Sequence, residues 1–320
     1  MIAPHDPYPP YWRAYLPFFG LPHAHPAPHA ETVRAGGWTL PLDRHGPADA
    51  PVSVLLVHGA GGYGRLFAPL AQRLSRHGVE VIAPDLPGYG RHRAPWTQVD
   101  YGVWQQALLA LIDTEYRARP RPIVLLGASI GGFLAYQVAA RSPHVRGLVV
   151  TTLANPCDAA VQAALVRYPW MRHSLPWLRP LARITRGLRV PVRWFTHMQH
   201  MSRDAALSAV VCADPMGGGN RVPVGLLASL FDADVPAPEA FDRCPVLLAH
   251  PANDAWTPVA ISDPFFDRLA APKRRVLLEG CGHFPIESPG LAQLETALAD
   301  FLAPLRDSAS RAQVVDLQRP

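Results

Sequence analysis

Short apolar runs alternate with amphipathic segments along most of this chain of 320 residues. The runs are rich in Val, Ile and Leu, so we predict that each is a strand buried on both faces. Predicted strands cover 52–59, 79–85, 122–129, 145–152, 244–251 and 274–280, and predicted helices cover 63–78, 99–119, 130–142, 258–271 and 289–305. This order predicts an α/β fold with a mostly parallel central sheet and helices on both of its faces.

The segment 153–242 interrupts this alternation between two predicted core strands. It is helix-prone and punctuated by Pro and Gly, which is typical of an inserted helical cap or lid. We therefore divide the chain into an irregular N-terminal arm (1–30), a core (31–152 and 243–305), the cap (153–242) and a C-terminal tail (306–320). Within the cap, the glycine-rich stretch 214–220 is expected to be a flexible link and a candidate hinge.

Composition restricts the class of function. The net charge of +5 comes almost wholly from arginine, since Lys273 is the only lysine, and no nucleic-acid-binding motif accompanies it, so we expect no nucleic-acid partner. No apolar run approaches the roughly 18 residues of a spanning helix, and the N-terminus does not have the pattern of a signal peptide. The cysteines are far apart and are expected to be free thiols in a reducing compartment, which predicts a cytoplasmic protein. They are Cys157, Cys212, Cys244 and Cys281.

The prolines of the N-terminal arm separate several histidines, among them His23, His25 and His29. Histidines in this setting, without acidic or cysteine partners, make a poor metal site, and we expect no metal there.

A serine between glycines, in "GASIG" (127–131), lies between a predicted strand and a predicted helix. Such a turn either only needs glycine to avoid clashes or is a nucleophile elbow that exposes a reactive hydroxyl. The strand–turn–helix context favours the elbow, with Ser129 as the nucleophile.

A glycine-rich loop, "HGAGG" (58–62), follows an earlier predicted strand. An ester's tetrahedral oxyanion needs two backbone N–H donors, and a loop of this kind brings them close without a side chain in the way. We assign these donors to Ala60 and to Ile130, the residue after the serine. An ordinary β–α turn would be the simpler interpretation if the serine elbow were absent.

Serine needs a base, and the base needs an orienting acid. His283 follows the last predicted strand, and Asp254 follows the strand before it. Because the carboxyl ends of parallel strands open on one edge of a sheet, we expect Ser129, His283 and Asp254 to meet there.

With these motifs in this order, the chain resembles the α/β-hydrolases of the capped serine esterase and lipase group, which includes monoacylglycerol lipase-like enzymes. The matching stretches are "LLVHGAGGYGRLFAPLAQRLSRHGVEVIAPDLPGYGRH", "LLGASIGGFLAYQVAARSP", "HPANDAWTP" and "LEGCGHFPIESP", and the resemblance covers about residues 40–152 and 243–305. It implies the same triad and the same two oxyanion donors. The cap matches no particular subfamily, so the resemblance does not imply a substrate.

We expect a serine hydrolase that cleaves a carboxylic ester with an apolar acyl part through an acyl-enzyme. The chain itself supplies nucleophile, base and oxyanion donors, so no cofactor is expected. The same triad also suits an amide, lactone, thioester or carbon–carbon substrate, and a non-catalytic ligand-binding protein of the same fold is a further alternative. Haloalkane dehalogenases and epoxide hydrolases are disfavoured, because those relatives carry an aspartate where this chain has Ser129.

The cap stretch 167–203 contains eight arginines and no acidic residue, interspersed with Trp, Met and Phe. One interpretation is a basic, aromatic surface that rests on anionic lipid. The other, which we prefer here, is a lid whose apolar face packs on the core while its arginines are solvated. We expect an apolar inner face over the serine in both cases. The residues assigned to binding of a small ester or lipid-like substrate are Gly61, Trp194, Met198, Trp256 and Phe284.

Overall fold

The structure, a computed structural model, describes residues 8–20, 27–185 and 187–317. His23 and His25 lie outside the described residues. Within them, no group of three or more His, Cys, Asp or Glu side chains could hold a metal ion. No helix in the described part of the chain combines the length and apolarity needed to cross a membrane. The cysteines are all free, as predicted.

An eight-stranded sheet forms the centre of the molecule, in the order β1-β2-β4-β3-β5-β6-β9-β10. The strands are β1 (His29–Ala35), β2 (Trp38–His45), β3 (Ser53–Val57), β4 (Glu80–Pro84), β5 (Ile123–Gly127), β6 (Val145–Val150), β9 (Val246–Pro251) and β10 (Lys273–Leu278). Strands β3 to β6, β9 and β10 pair in parallel, whereas β2 is antiparallel to both of its neighbours. The predicted fold class is therefore confirmed.

The hairpin of β1 and β2 has no counterpart in the predicted strands. Its sequence is polar because β2 carries charged residues. In the fold these residues are largely buried, and residues distant in the sequence neutralise their charges. Asp43 is fully buried and pairs with Arg65, and Arg44 pairs with Glu115. Hydropathy alone does not distinguish such a strand from a loop.

Helices cover the sheet and also occur in the insertion between β6 and β9. They are α1 (Pro10–Arg13), α2 (Ala68–Ser75), α3 (Tyr101–Ala118), α4 (Ile130–Ala139), α5 (Ala159–Leu165), α6 (Leu175–Ile184), α7 (Ala205–Ala213), α8 (Val224–Leu230), α9 (Asp263–Phe266) and α10 (Gly290–Leu317). The insertion also contains a small two-stranded sheet of β7 (Arg189–Pro191) and β8 (Arg221–Pro223). Helix α8 packs both on α6 and on the core helix α3, which joins the insertion to the core.

Two predicted helices differ in extent from the observed ones. The segment predicted as one helix over 258–271 contains only a 3-10 turn, Val259–Ile261, and the four-residue α9. Helix α10 passes its predicted end at 305 and continues through most of the segment expected to be a tail. Each residue added to an existing helix gains a hydrogen bond, so a polar segment extends it without an apolar stripe.

The N-terminal arm packs on the core through large aromatic side chains. Trp12 and Tyr15 are almost fully buried, and the Trp12 indole N–H donates to the carbonyl of Arg65 at 2.8 Å. Tyr15 and Phe19 set their rings edge-on against Phe284, the residue after His283. The arm is thus part of the wall behind the predicted site.

The glycine-rich stretch 214–220 is a pinned turn, and the expectation of a flexible link is wrong. Asp214 is fully buried, and its Oδ2 accepts hydrogen bonds from the hydroxyls of Tyr15 at 3.1 Å and Tyr63 at 3.0 Å. A Cβ on Gly218 would lie 2.8 Å from the carbonyl oxygen of Val211. These glycines permit close packing of the backbone, which the sequence pattern does not distinguish from flexibility.

Candidate active site

Ser129 stands at the turn between β5 and α4 in a strained conformation. Its φ of 55° is the only positive value among the described non-glycine residues. A Cβ on Gly127 or Gly131 would overlap backbone atoms, so both flanking positions require glycine. The backbone N–H of Ser129 donates to the hydroxyl of Thr151 at 3.1 Å, which supports the strained turn.

A continuous hydrogen-bonded chain links the three residues of the predicted triad. Ser129 Oγ lies 2.8 Å from His283 Nε2, and His283 Nδ1 lies 2.7 Å from Asp254 Oδ2. A neutral imidazole that donates from Nδ1 to the carboxylate keeps Nε2 free to accept the serine hydroxyl. The three side chains are therefore arranged so that His283 could take the proton of Ser129.

Asp254 is held as a carboxylate in a buried position. Burial on its own raises the pKa of this carboxyl, but His283 and the donors from Thr257 outweigh burial and lower the pKa to about 2. The backbone N–H groups of Trp256 and Thr257 both donate to Asp254 Oδ1, at 2.9 and 2.8 Å. The acid is thus ionised and fixed in direction at neutral pH.

Thr257 belongs to this site although our sequence reasoning did not select it. Its hydroxyl donates to Asp254 Oδ2 at 2.6 Å and lies 3.0 Å from His283 Nδ1. The signal in the sequence is a Thr three residues after an Asp in a loop, the spacing at which an Asp side chain caps the backbone of its own turn.

The two amides assigned to the oxyanion hole border the same cavity as Ser129. Ala60 and Ile130 line the pocket, and within the described residues neither backbone N–H donates to a protein acceptor. Both N–H groups therefore remain available to a ligand.

His58 fixes the loop that carries Ala60. Burial lowers the pKa of this fully buried histidine, which keeps the ring neutral. Nδ1–H donates to the carbonyl of Gly59 at 2.9 Å, and Nε2 accepts the N–H of Leu86 at 3.0 Å. A neutral ring in this tautomer therefore holds the loop that carries Ala60.

An apolar pocket extends from Ser129 and His283 beneath the insertion. Gly61, Met198, Trp256 and Phe284, four of the residues assigned to substrate, lie in its wall. The Trp256 ring lies 4.6 Å from the imidazole of His283. On the insertion side the wall includes Leu165, Met171, Leu175, Leu178, Phe195 and Met201.

Trp194 does not line this pocket, and its assignment to substrate binding is wrong. Its side chain is 56% exposed at the molecular surface. Val192–Trp194 forms a 3-10 turn that buries Val192 and directs Phe195, three residues later, into the pocket. Trp194 consequently faces solvent, because residues adjacent in such a turn point in different directions.

Two carboxylates attach the insertion to the loops around Ser129 and His283. Asp214 accepts a hydrogen bond from the hydroxyl of Tyr63, which directly follows the glycine-rich loop 58–62. Burial raises the pKa of Asp214 despite its hydrogen bonds. Glu287 accepts hydrogen bonds from the hydroxyl of Ser202 at 2.6 Å and from the backbone N–H of Gly282, next to His283, at 2.7 Å. Neither Glu287 nor Asp214 was among the residues selected from the sequence.

Comparison with known proteins identifies related sequences and folds. The sequence model of the alpha/beta hydrolase family matches residues 54–294. The lipase LipV of Mycobacterium tuberculosis is 38% identical over 124 residues, which are 38% of this chain and 44% of that protein. The pimeloyl-[acyl-carrier protein] methyl ester esterase of Aliivibrio fischeri is 26% identical over 245 residues, which are 73% of this chain and 88% of that protein.

The chain spans less than half the length of LipV and of other relatives that match it at 38% identity. Among solved structures, the monoacylglycerol lipase of Paleococcus ferrophilus superposes with a TM-score of 0.66 at 21% identity, covering 82% of this chain and 98% of the other. A likeness at this identity concerns the fold.

Proposed function

Because the chain belongs to the alpha/beta hydrolase family, we propose that it is a serine hydrolase of carboxylic esters with an apolar acyl part. The observation that carries this proposal is the hydrogen-bonded chain from Ser129 through His283 to Asp254 at the apolar pocket. Relatives named as a lipase and as a methyl ester esterase support a carboxylic ester as the bond that is cleaved.

In the proposed acylation step, Ser129 Oγ attacks the ester carbonyl carbon as its proton passes to His283 Nε2. The Asp254 carboxylate, whose pKa of about 2 keeps it ionised, stabilises the imidazolium that forms. The negative charge that develops on the carbonyl oxygen is stabilised by the N–H groups of Ala60 and Ile130, and such donors each lower the barrier by about 3 kcal/mol.

Collapse of the tetrahedral intermediate breaks the bond to the alkoxy oxygen, which takes the proton from His283 Nε2 and leaves as the alcohol. The acyl group remains as an ester of Ser129. His283 then takes a proton from a water molecule, which attacks the acyl carbon; the carboxylic acid is released and Ser129 regains its proton.

We propose that the segment 153–242 acts as the cap over this reaction and that the acyl part binds beneath it. The side chains that support this are apolar and include three methionines, Met171, Met198 and Met201. Methionine adapts to irregular apolar shapes, so such a wall suits flexible acyl chains better than one rigid substrate.

The first experiment measures hydrolysis of p-nitrophenyl esters of increasing acyl length by the wild type and by Ser129→Ala. We expect the rate to fall on the order of 10⁴-fold or more in the variant, because the nucleophile is lost. Ser308→Ala, at an exposed serine on α10, is the matched control and should keep the wild-type rate. Retained activity in Ser129→Ala would refute the proposal.

Labelling by a fluorophosphonate probe distinguishes an enzyme from a ligand-binding protein of the same fold. We expect rapid labelling that is lost in Ser129→Ala and kept in Ser308→Ala. A chain that folds normally but neither labels nor turns over any ester of the series would support ligand binding instead.

A further inference from the structure

Large apolar side chains are exposed mainly on one part of the insertion. Among the described residues, eight large apolar side chains are exposed, and only Leu277 lies outside the stretch 168–194. The other seven, which we call the cap surface, are Tyr168, Trp170, Trp177, Leu181, Ile184, Leu188 and Trp194. Exposed apolar side chains concentrated on one part of a monomer indicate an interaction site.

Helix α6 shows that packing on the core does not account for these side chains. Leu175 and Leu178 are part of the pocket wall, as expected for a lid over the core. Trp177, Leu181 and Ile184 are spaced by four and three residues, so they share the other side of the helix, with Trp177 73% and Ile184 84% exposed. The helix is therefore apolar on two sides, and its outer side has no partner in the described part of the chain.

The stretch that carries this apolar area is strongly basic, although Asp100 and Asp232 line a surface cavity next to Arg183. The stretch 167–203 has no acidic residue, and the exposed Arg172, Arg183 and Arg193 form no salt bridge within the described residues. A second copy of the same surface would bring like charges together, which disfavours a symmetric contact between two chains. The complementary partner is a surface with an apolar interior and negative charges at its boundary.

We propose that the cap surface docks on an anionic lipid bilayer. Tryptophan and tyrosine favour the boundary between lipid and water, and arginine is attracted to acidic headgroups. The pocket supports lipid over an acidic protein partner, because the inner sides of the same stretch, at Met171, Leu175 and Leu178, line the cavity beside Ser129. A single-chain lipid that leaves the bilayer would therefore reach this cavity by crossing only the cap.

This proposal goes beyond ester hydrolysis, and its test does not depend on turnover. Flotation is measured with Ser129→Ala, which cannot consume the lipid, on vesicles of phosphatidylcholine alone or with about one third phosphatidylglycerol. We expect binding to the acidic vesicles to be at least about tenfold stronger and to weaken between about 0.1 M and about 0.5 M NaCl.

Variants in the same background test the apolar and charged parts separately. Trp177→Ser with Ile184→Ser, and Arg172→Gln with Arg183→Gln, should each reduce vesicle binding about tenfold. The matched controls are Leu277→Ser and Arg274→Gln, both on β10 and both exposed, which should bind as the parent does. With Ser129 restored, all four variants should hydrolyse a water-soluble p-nitrophenyl ester at the wild-type rate.

Equal binding to neutral and acidic vesicles, no binding at all, or the same loss in the controls as in the cap-surface variants would overturn the proposal. So would a dimer in analytical ultracentrifugation that becomes a monomer in Trp177→Ser with Ile184→Ser, because the surface would then join two copies. Failure of vesicle binding leaves the hydrolysis assay unaffected, so the two proposals fail separately.

Discussion

Thr257 provides the sharpest test of how the acid is held, because one hydroxyl contacts both Asp254 and His283. Thr257→Val removes the 2.6 Å hydrogen bond to Asp254 Oδ2 and keeps a branched side chain. A hydrogen bond to a charged group contributes about 1.5–3 kcal/mol, so we expect the free energy of unfolding at pH 7 to fall by this amount.

The lowered pKa of Asp254 sets the scale for all the groups that stabilise its charged form, of which His283 contributes most and Thr257 a part. A pKa of about 2 in the folded chain, against 3.8 ordinarily, corresponds to about 2 kcal/mol of stability. Since the folded pKa is lowered, this stability is present above about pH 4 and is lost as the pH falls toward 2. Thr257→Val raises the folded pKa and therefore reduces the stability available at neutral pH.

The effect on the rate should be smaller than that of losing the acid. In Thr257→Val the carboxylate keeps His283 and the backbone donors from residues 256 and 257, so it stays ionised at pH 7. We expect kcat for p-nitrophenyl butyrate to fall about tenfold, against about 10⁴-fold for Asp254→Asn.

Urea unfolding at pH 7 and steady-state kinetics measure both quantities, with Thr257→Ser as the control that restores the hydroxyl. Wild-type stability and rate in Thr257→Val, or a Thr257→Ser variant no better than Thr257→Val, would contradict this account of the site.

Two further outcomes follow from the packing around the serine and the pocket. Gly131→Ala should lower the free energy of unfolding by more than about 3 kcal/mol in urea titration, because its Cβ would overlap the Val57 carbonyl. The control Gly225→Ala should have no effect on stability or a slightly stabilising one, because its Cβ would meet only ordinary contacts. Phe195→Ala should raise KM for long-chain p-nitrophenyl esters about tenfold and leave acetate unchanged, whereas Trp194→Ala should alter neither. Equal stability of the two glycine variants would contradict the close packing at Gly131. Equal KM values of the Phe195 and Trp194 variants would contradict the placement of Phe195 in the pocket and of Trp194 at the surface.

The sequence predicts most of the sheet because its parallel strands are apolar on both faces. It also predicts which loops meet, since a parallel sheet brings the carboxyl ends of its strands to one edge; Ser129, Asp254 and His283 follow β5, β9 and β10 in this way. Such inferences need only local patterns and one topological rule.

The features that escape prediction depend on distant partners. The buried Asp43 on β2 looks like a loop residue until Arg65 is placed beside it, and the glycines after Asp214 look flexible until two tyrosines reach that carboxylate. The direction of Trp194 depends on a short 3-10 turn, which has no periodic signal in the sequence. The proposal that the cap surface faces lipid, in place of the interpretation with solvated arginines, likewise depends on the exposed outer side of α6.

The attachment of the insertion by Asp214 and Glu287 has a consequence for the route by which substrates reach Ser129. Both carboxylates bind its second half, at Ser202 and at the turn after α7, to loops that carry the reacting groups. Displacing that half would therefore disturb the loop of Ala60, which precedes Tyr63, together with the loop of His283. We therefore expect substrates to enter where α5 and α6 cover the pocket. In this view α5 and α6, which lie nearest the proposed bilayer, move, while the second half of the insertion stays in place beside Ser129 and His283.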